Sequence, residues 1–255
     1  MRSQNITDNR HNPYSKSVPG VSLAVVFTHG IMGSPRQFDD LVQALGETCA
    51  IENILLPGHG GTSREYAASN LQDWQQALDN VISRLSKQYG RIILVGHSLG
   101  GLLSVSSTLR FSSSIAGLFL IAMPLQVGIS SRFIKRSLLI AFGHQGKNPA
   151  ADLARQTSSV SFPAWYSYLQ GSGRVPELFI KSLKTRRIIG KITCPMHAVW
   201  SEQDEIVDSR SARWLPKTKN FSMDLLKESG HYVYTPEESQ QIRETFLDFV
   251  HKLMP

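Results

Sequence analysis

The stretch Ile92-Ile93-Leu94-Val95-Gly96-His97-Ser98-Leu99-Gly100-Gly101 decides how this chain folds, because its character changes twice within ten residues. Four consecutive aliphatic residues, three of them β-branched, read as a buried strand. From Leu99 to Phe111 the pattern becomes helical. Between the two lies Gly-x-Ser-x-Gly, a pattern common by chance that gains meaning only directly after a strand and directly before a helix, as here. The turn it makes is so sharp that Ser98 must take a strained backbone conformation. Gly96 and Gly100 remove the side chains that would collide. The serine hydroxyl then stands at a helix N-terminus, where free N–H groups and the helix dipole favour a developing negative charge. The plain alternative, a glycine-flanked helix start, has to be weighed against the rest of the chain.

Working outward from that turn, strands and amphipathic helices alternate. Leu23 to Phe27 and Ile51 to Leu56 are apolar runs, and Ser34-Pro35 opens a helix carrying Phe38, Leu41, Val42 and Leu45. Leu71, Trp74, Leu78, Val81, Ile82 and Leu85 share one face of a long helix. Ile115 to Ala122 and Met196 to Trp200 are further strands. A helix at about Ser209 to Leu215, a strand at about Phe221 to Leu226, and a terminal helix from Pro236 complete the series. This alternation predicts an α/β fold with a mostly parallel sheet and helices on both faces. Residues 1–124 and 192–255 form its core. The interval 125–191 interrupts the alternation and is expected to be a small helical cap inserted between two strands, over the site. Apolar residues, including some of Phe133, Leu139, Phe142, Trp165 and Tyr168, are expected to roof an acyl pocket there, with the cap's charges facing outward.

A serine hydroxyl needs a base to become a nucleophile near neutral pH. His231, in Glu228-Ser229-Gly230-His231, and Asp204, in Ser201-Glu202-Gln203-Asp204-Glu205-Ile206-Val207, each follow a late strand. Both therefore fall on the sheet edge that carries Ser98. The order Ser98, Asp204, His231 suits nucleophile, acid and general base, with Asp208 as the fallback acid. Thr28-His29-Gly30-Ile31-Met32-Gly33 follows the first long strand. The backbone N–H groups of Ile31 and Leu99 make the natural oxyanion pair. His29, His59 and His97 read as structural, since one base suffices.

The 255 residues are 41% hydrophobic and 18% charged. Residues 1–20 are polar with no apolar signal core, and no apolar run is long enough to span a bilayer. The two cysteines, Cys49 and Cys194, read as free buried thiols in strand interiors, which points to a cytoplasmic location. The net charge of +7 is uneven: residues 125–191 hold eleven Lys or Arg against two acids, a net of +9, leaving the rest of the chain at −2. With no helix-turn-helix, finger or ribonucleoprotein motif, this excludes a nucleic-acid partner. A basic cap could rest on an anionic membrane, but a solvated lid face is the preferred reading. The scattered histidines give no metal-ligand spacing, so neither metal nor organic cofactor is expected.

These motifs resemble the α/β-hydrolase superfamily over nearly the whole chain, and within it the bacterial carboxylesterase and monoacylglycerol lipase group. The likeness rests on the triad, on His29-Gly30-Ile31-Met32-Gly33-Ser34-Pro35, on Leu56-Pro57-Gly58-His59-Gly60, on Asp204-Glu205-Ile206-Val207, and on Pro13-Tyr14 ahead of the first strand. It departs at Ser201, where that group usually has glycine. The resemblance implies an α/β-hydrolase fold and a serine hydrolase of carboxylic esters, with short- to medium-chain acyl groups and monoacylglycerols as candidate substrates. A thioesterase or a carbon–carbon bond hydrolase on the same triad is the alternative, and a catalytically dead binding protein of this fold is a third reading. The partner expected is a small acyl ester; the oligomeric state is not encoded legibly.

Overall fold

The computed structural model describes residues 11–127, 158–161 and 173–254. Seven strands form one sheet: β1 (Tyr14–Lys16), β2 (Leu23–Thr28), β3 (Ala50–Ile54), β4 (Arg91–His97), β5 (Ile115–Ile121), β6 (Met196–Ser201) and β7 (Phe221–Leu226). Their spatial order is β1-β3-β2-β4-β5-β6-β7. Only β1 runs antiparallel, against β3; every other pairing is parallel. Six helices are described: α1 (Asp39–Leu45), α2 (Ser63–Ala68), α3 (Leu71–Leu85), α4 (Leu99–Arg110), α5 (Arg174–Ile188) and α6 (Pro236–Lys252).

The period-two geometry of a strand explains the layering. In β2 and β4, Ala24, Val26, Ile92 and Leu94 join the core under α2, α3 and α4. Their neighbours Leu23, Val25, Phe27, Ile93 and Val95 point the other way, into the core with α1 and α6. Strands buried on both faces are uniformly apolar, and that is why they were easy to read. The edge strand β7 instead leaves Met223 and Leu225 exposed. Helix starts are well capped: Asn70 and Asp73 form a reciprocal capping box on α3, and Thr62 with Glu65 does the same on α2.

Some expectations are corrected. Ser34-Pro35 opens a 3₁₀ turn, Pro35–Phe38, before α1 begins. The segment Ser209–Trp214 is likewise 3₁₀ rather than α-helical. Both cysteines are free, but each lies just ahead of a strand, and Cys194 is only partly buried.

Of the interval 125–191, most lies outside the described residues, including Phe133, Leu139, Phe142, Trp165 and Tyr168. Its last part, α5, packs on the core: Leu178 joins the α3–α4 side of it. Glu177 Oε2 accepts the Leu71 N–H at the start of α3, at 3.0 Å. Ser182 donates to the Pro124 and Leu125 carbonyls, and Arg186 Nε to Leu125 as well. Residues 158–161 cross the loops above β2: Ser159 N–H donates to Met32 O at 2.9 Å and Ser161 N–H to Gly61 O at 2.9 Å.

The outward-facing charge expected of this interval fails at Lys181, which is 8% exposed. Its ammonium bonds Gln75 Oε1 at 2.8 Å and Ser106 Oγ at 2.6 Å. Desolvation, with Arg110 nearby, pushes its pKa down to about 8.

Candidate active site

At the end of β4 the chain reverses through Ser98, whose φ of 51° and ψ of −118° lie where side chains rarely go. Close packing enforces the turn. A Cβ on Gly100 would stand 1.9 Å from the Thr28 carbonyl oxygen, and one on Gly96 2.5 Å from Gly101 N. The N–H of Ser98 is held by Ile121 O of the neighbouring β5, at 2.8 Å. Leu99 is the first residue of α4, so its N–H has no carbonyl one turn back to bond.

The adjacent strand β2 delivers the second loop. Gly30 lies so close that a Cβ there would be 3.0 Å from Ser98 Cβ and from His97 Nδ1. Met32 takes φ +55°, and among the described residues no backbone carbonyl takes up the Ile31 N–H. Two histidines hold this loop. His29 Nε2 accepts the Leu56 N–H at 3.0 Å, which leaves Nδ1 as the donor to Gly30 O at 2.8 Å. His59 Nε2 accepts the Met32 N–H at 3.2 Å, and its Nδ1 donates to Pro57 O at 3.2 Å. Burial keeps both rings neutral. It holds His29 well below its ordinary pKa and takes His59 to about 4. They are structural, as expected.

Two strands further along, Asp204 follows β6 and His231 follows β7. His231 Nδ1 and Asp204 Oδ2 are 2.8 Å apart, and each side chain is 1% exposed. The other carboxylate oxygen accepts the Ile206 and Val207 N–H groups, both at 2.8 Å. Burial alone would raise the Asp204 pKa, but His231 and these N–H donors outweigh it and hold the carboxyl below its usual range. Asp204 is therefore an ionised, fixed acceptor that leaves Nε2 as the basic nitrogen. That Nε2 is buried without a hydrogen-bond partner, so the bond from Ser98 is not closed; such contacts tighten when substrate arrives. Asp208 is spoken for: it pairs with Arg210 and accepts the Arg210 N–H at 2.8 Å. His97 lies beneath the base, its Nε2 donating to His231 O at 2.9 Å, and burial drives its pKa to about 3.

Sequence reasoning missed several residues that set this geometry. Glu205 Oε2 accepts the His231 main-chain N–H at 3.1 Å. Tyr232 O–H donates to Ile31 O at 3.2 Å, and its ring meets that of His231 edge-on at 4.5 Å. From α6, the Glu238 carboxylate collects the N–H groups of Lys227, Glu228 and Ser229, at 2.6 to 3.1 Å. Ser201, the departure from glycine, donates to Ser229 O and accepts the Gln203 N–H at 3.2 Å, so it joins the acid loop to the histidine loop. Apart from the adjacency of Glu205 and Tyr232 to the triad members, no sequence signal marks these loop-to-loop contacts.

A cavity of about 510 Å³ opens behind the histidine loop, lined by Ser34, Gln37, His97, Tyr232 and Ile242 among others, but not by Ser98. Among the described residues, no group of three or more His, Cys, Asp or Glu side chains is placed to hold a metal ion.

The sequence profile described as "Alpha/beta hydrolase family" matches residues 25–245. The bovine protein "Monoacylglycerol lipase ABHD6" is 25% identical over 275 residues, covering 95% of this chain and 82% of its own. The human protein of the same name is 25% identical, covering 91% of this chain and 77% of its own. Among solved structures, the monoacylglycerol lipase of Paleococcus ferrophilus superposes with TM-score 0.68 at 16% identity, covering 95% of this chain and 98% of its own. At such identity the structural likeness speaks for the fold alone.

Proposed function

This chain belongs to the alpha/beta hydrolase family, and on that footing we propose that it hydrolyses carboxylic esters through an acyl-enzyme on Ser98. The observation that carries the reading is the buried Asp204–His231 bond, which leaves His231 Nε2 unpartnered on the sheet edge where the strained Ser98 emerges. In the reaction His231 Nε2 takes the Ser98 proton as Oγ bonds the ester carbonyl carbon. The oxyanion sits on the N–H groups of Ile31 and Leu99. Collapse expels the alcohol, which leaves with that proton. Water then attacks the acyl-enzyme, again giving its proton to His231, and the carboxylic acid departs as Ser98 is restored.

The substrate class we propose is monoacylglycerols and related esters of short to medium chain. The names of the mammalian relatives support this. The test is turnover on a panel of glycerol monoesters of increasing acyl length, matched thioesters and a diketone, with Ser98→Ala as control. Preferential cleavage of the oxygen esters, lost in Ser98→Ala, is expected. Faster cleavage of the thioesters or the diketone would move the assignment to the alternative on the same triad.

A further inference from the structure

The outer face of α5 is apolar where a solvated helix would be polar. Val175, Phe179, Ile180 and Leu183 are 36% to 52% exposed. Val175, Phe179 and Leu183 recur every four residues along one helical stripe, and Ile180, three residues before Leu183, widens it. The opposite side of the helix is used up: Leu178, Lys181, Ser182 and Thr185 are buried against the core. The stripe is bordered at its C-terminal end by cations, with Lys184, Arg187 and Lys191 exposed. Next to it stands Trp214, 39% exposed, with the Arg186 guanidinium 4.8 Å and the Arg213 guanidinium 5.4 Å from the ring centre. The hydrogen bonds of Ser182 and Arg186 to Leu125 O fix this face just beyond the C-terminal end of β5, on the sheet edge that carries Ser98.

An exposed apolar stripe rimmed by positive charge is costly in water unless something covers it. Aliphatic side chains, cations that can snorkel and a tryptophan at their border are what the interfacial zone of a bilayer accommodates. We infer that α5, with Trp214, docks this protein on a lipid surface that contains anionic phospholipid. The exposed Lys184, Arg187 and Lys191 supply the complementarity. The same helix pinned to the core would then hold the site at a fixed height over the bilayer. This inference departs from the solvated face preferred from sequence, on the ground that apolar side chains as well as charges are exposed there.

The test uses the full chain carrying Ser98→Ala, so that binding is read without any hydrolysis and its outcome stands apart from the ester assignment. The protein is co-sedimented with phosphatidylcholine vesicles with and without phosphatidylserine, at low and high salt. Binding to the phosphatidylserine vesicles is expected, weakening as salt rises. Replacing Lys184, Arg187 and Lys191 together by Gln should weaken it by about fivefold per cation, on the order of 100-fold in all. Ile180→Ser with Leu183→Ser should weaken it at least about tenfold, with circular dichroism and thermal midpoint near those of the parent. Failure to bind either vesicle overturns the proposal. So does sedimentation equilibrium showing a dimer that Ile180→Ser with Leu183→Ser dissolves, since a second copy would then cover the face.

Discussion

Asp204 and Asp208 lie in one loop, yet their carboxylates meet different partners. Asp204 is buried and spends one oxygen on His231 and the other on two backbone N–H groups. Asp208 is bound to Arg210 and starts the 3₁₀ turn. Asp204→Asn is therefore expected to lower kcat on the order of 10³- to 10⁴-fold, because an amide can hold the wrong tautomer of His231 in place. Asp208→Asn should change kcat less than about threefold, since it weakens the Arg210 pair while asparagine can still cap the 3₁₀ turn. Glu205→Gln should fall between, because it keeps the His231 N–H acceptor but removes the charge. Steady-state kinetics on one soluble ester ranks the three, and a larger loss at Asp208 would reassign the acid.

At the scale of elements, α5 is the informative one, because it carries a buried ammonium into its seam with α3 and α4. Lys181 is depressed to a pKa of about 8 in the folded chain, whereas the unfolded value is about 10.4. Between these values the unfolded state binds more protons. Stability contributed at this site is therefore present at high pH and lost as pH falls through about 8. Lys181→Met, similar in length and without charge, lacks this dependence. Comparing urea midpoints from pH 7.5 to 10, the parent is expected to gain on Lys181→Met as pH rises, by at most about 1.4 kcal/mol per pH unit. A constant difference across that range would mean that Lys181 is not titrating. This lysine also shows where sequence reading stops. Helical spacing marked neither α5 nor its faces, because its inner side mixes Leu178 with Lys181, Ser182 and Thr185 and its outer side is apolar.

For the whole molecule, the parallel sheet and the candidate site were legible for one physical reason. Ser98 and Asp204 follow strands that are buried along nearly all their length, and His231 follows β7, the last strand of the same series, so the alternation of strands and helices also gave their common edge. What stayed illegible is the contacts between loops: Tyr232 on Ile31, Ser201 on Ser229, and Glu238 beneath the histidine loop. They join segments far apart in sequence and leave no period. The structural histidines, by contrast, make a statement about the entire fold. His59 and His97 are held neutral at about 4 and 3, and His29 well below its ordinary value, all chiefly by burial. Unfolded histidine takes its proton near 6.5, so between that pH and about 4 the unfolded chain binds more protons. Stability is full above that range and lost as pH falls through it, each ring contributing up to about 1.4 kcal/mol per pH unit. Unfolding midpoints should thus drop steeply from pH 7 to 5, and a flat profile would contradict the neutral, buried assignment.

The central claim is that Ser98 is an activated nucleophile whose base is His231. It is tested most directly by treating the protein with a fluorophosphonate and mapping the adduct by mass spectrometry. The account predicts one adduct, on the peptide that contains Ser98, formed rapidly by the parent and absent in Ser98→Ala. In His231→Ala its formation should slow by several orders of magnitude while the thermal midpoint stays close to that of the parent. An adduct on another serine, or labelling of Ser98 at an unchanged rate without His231, would contradict it.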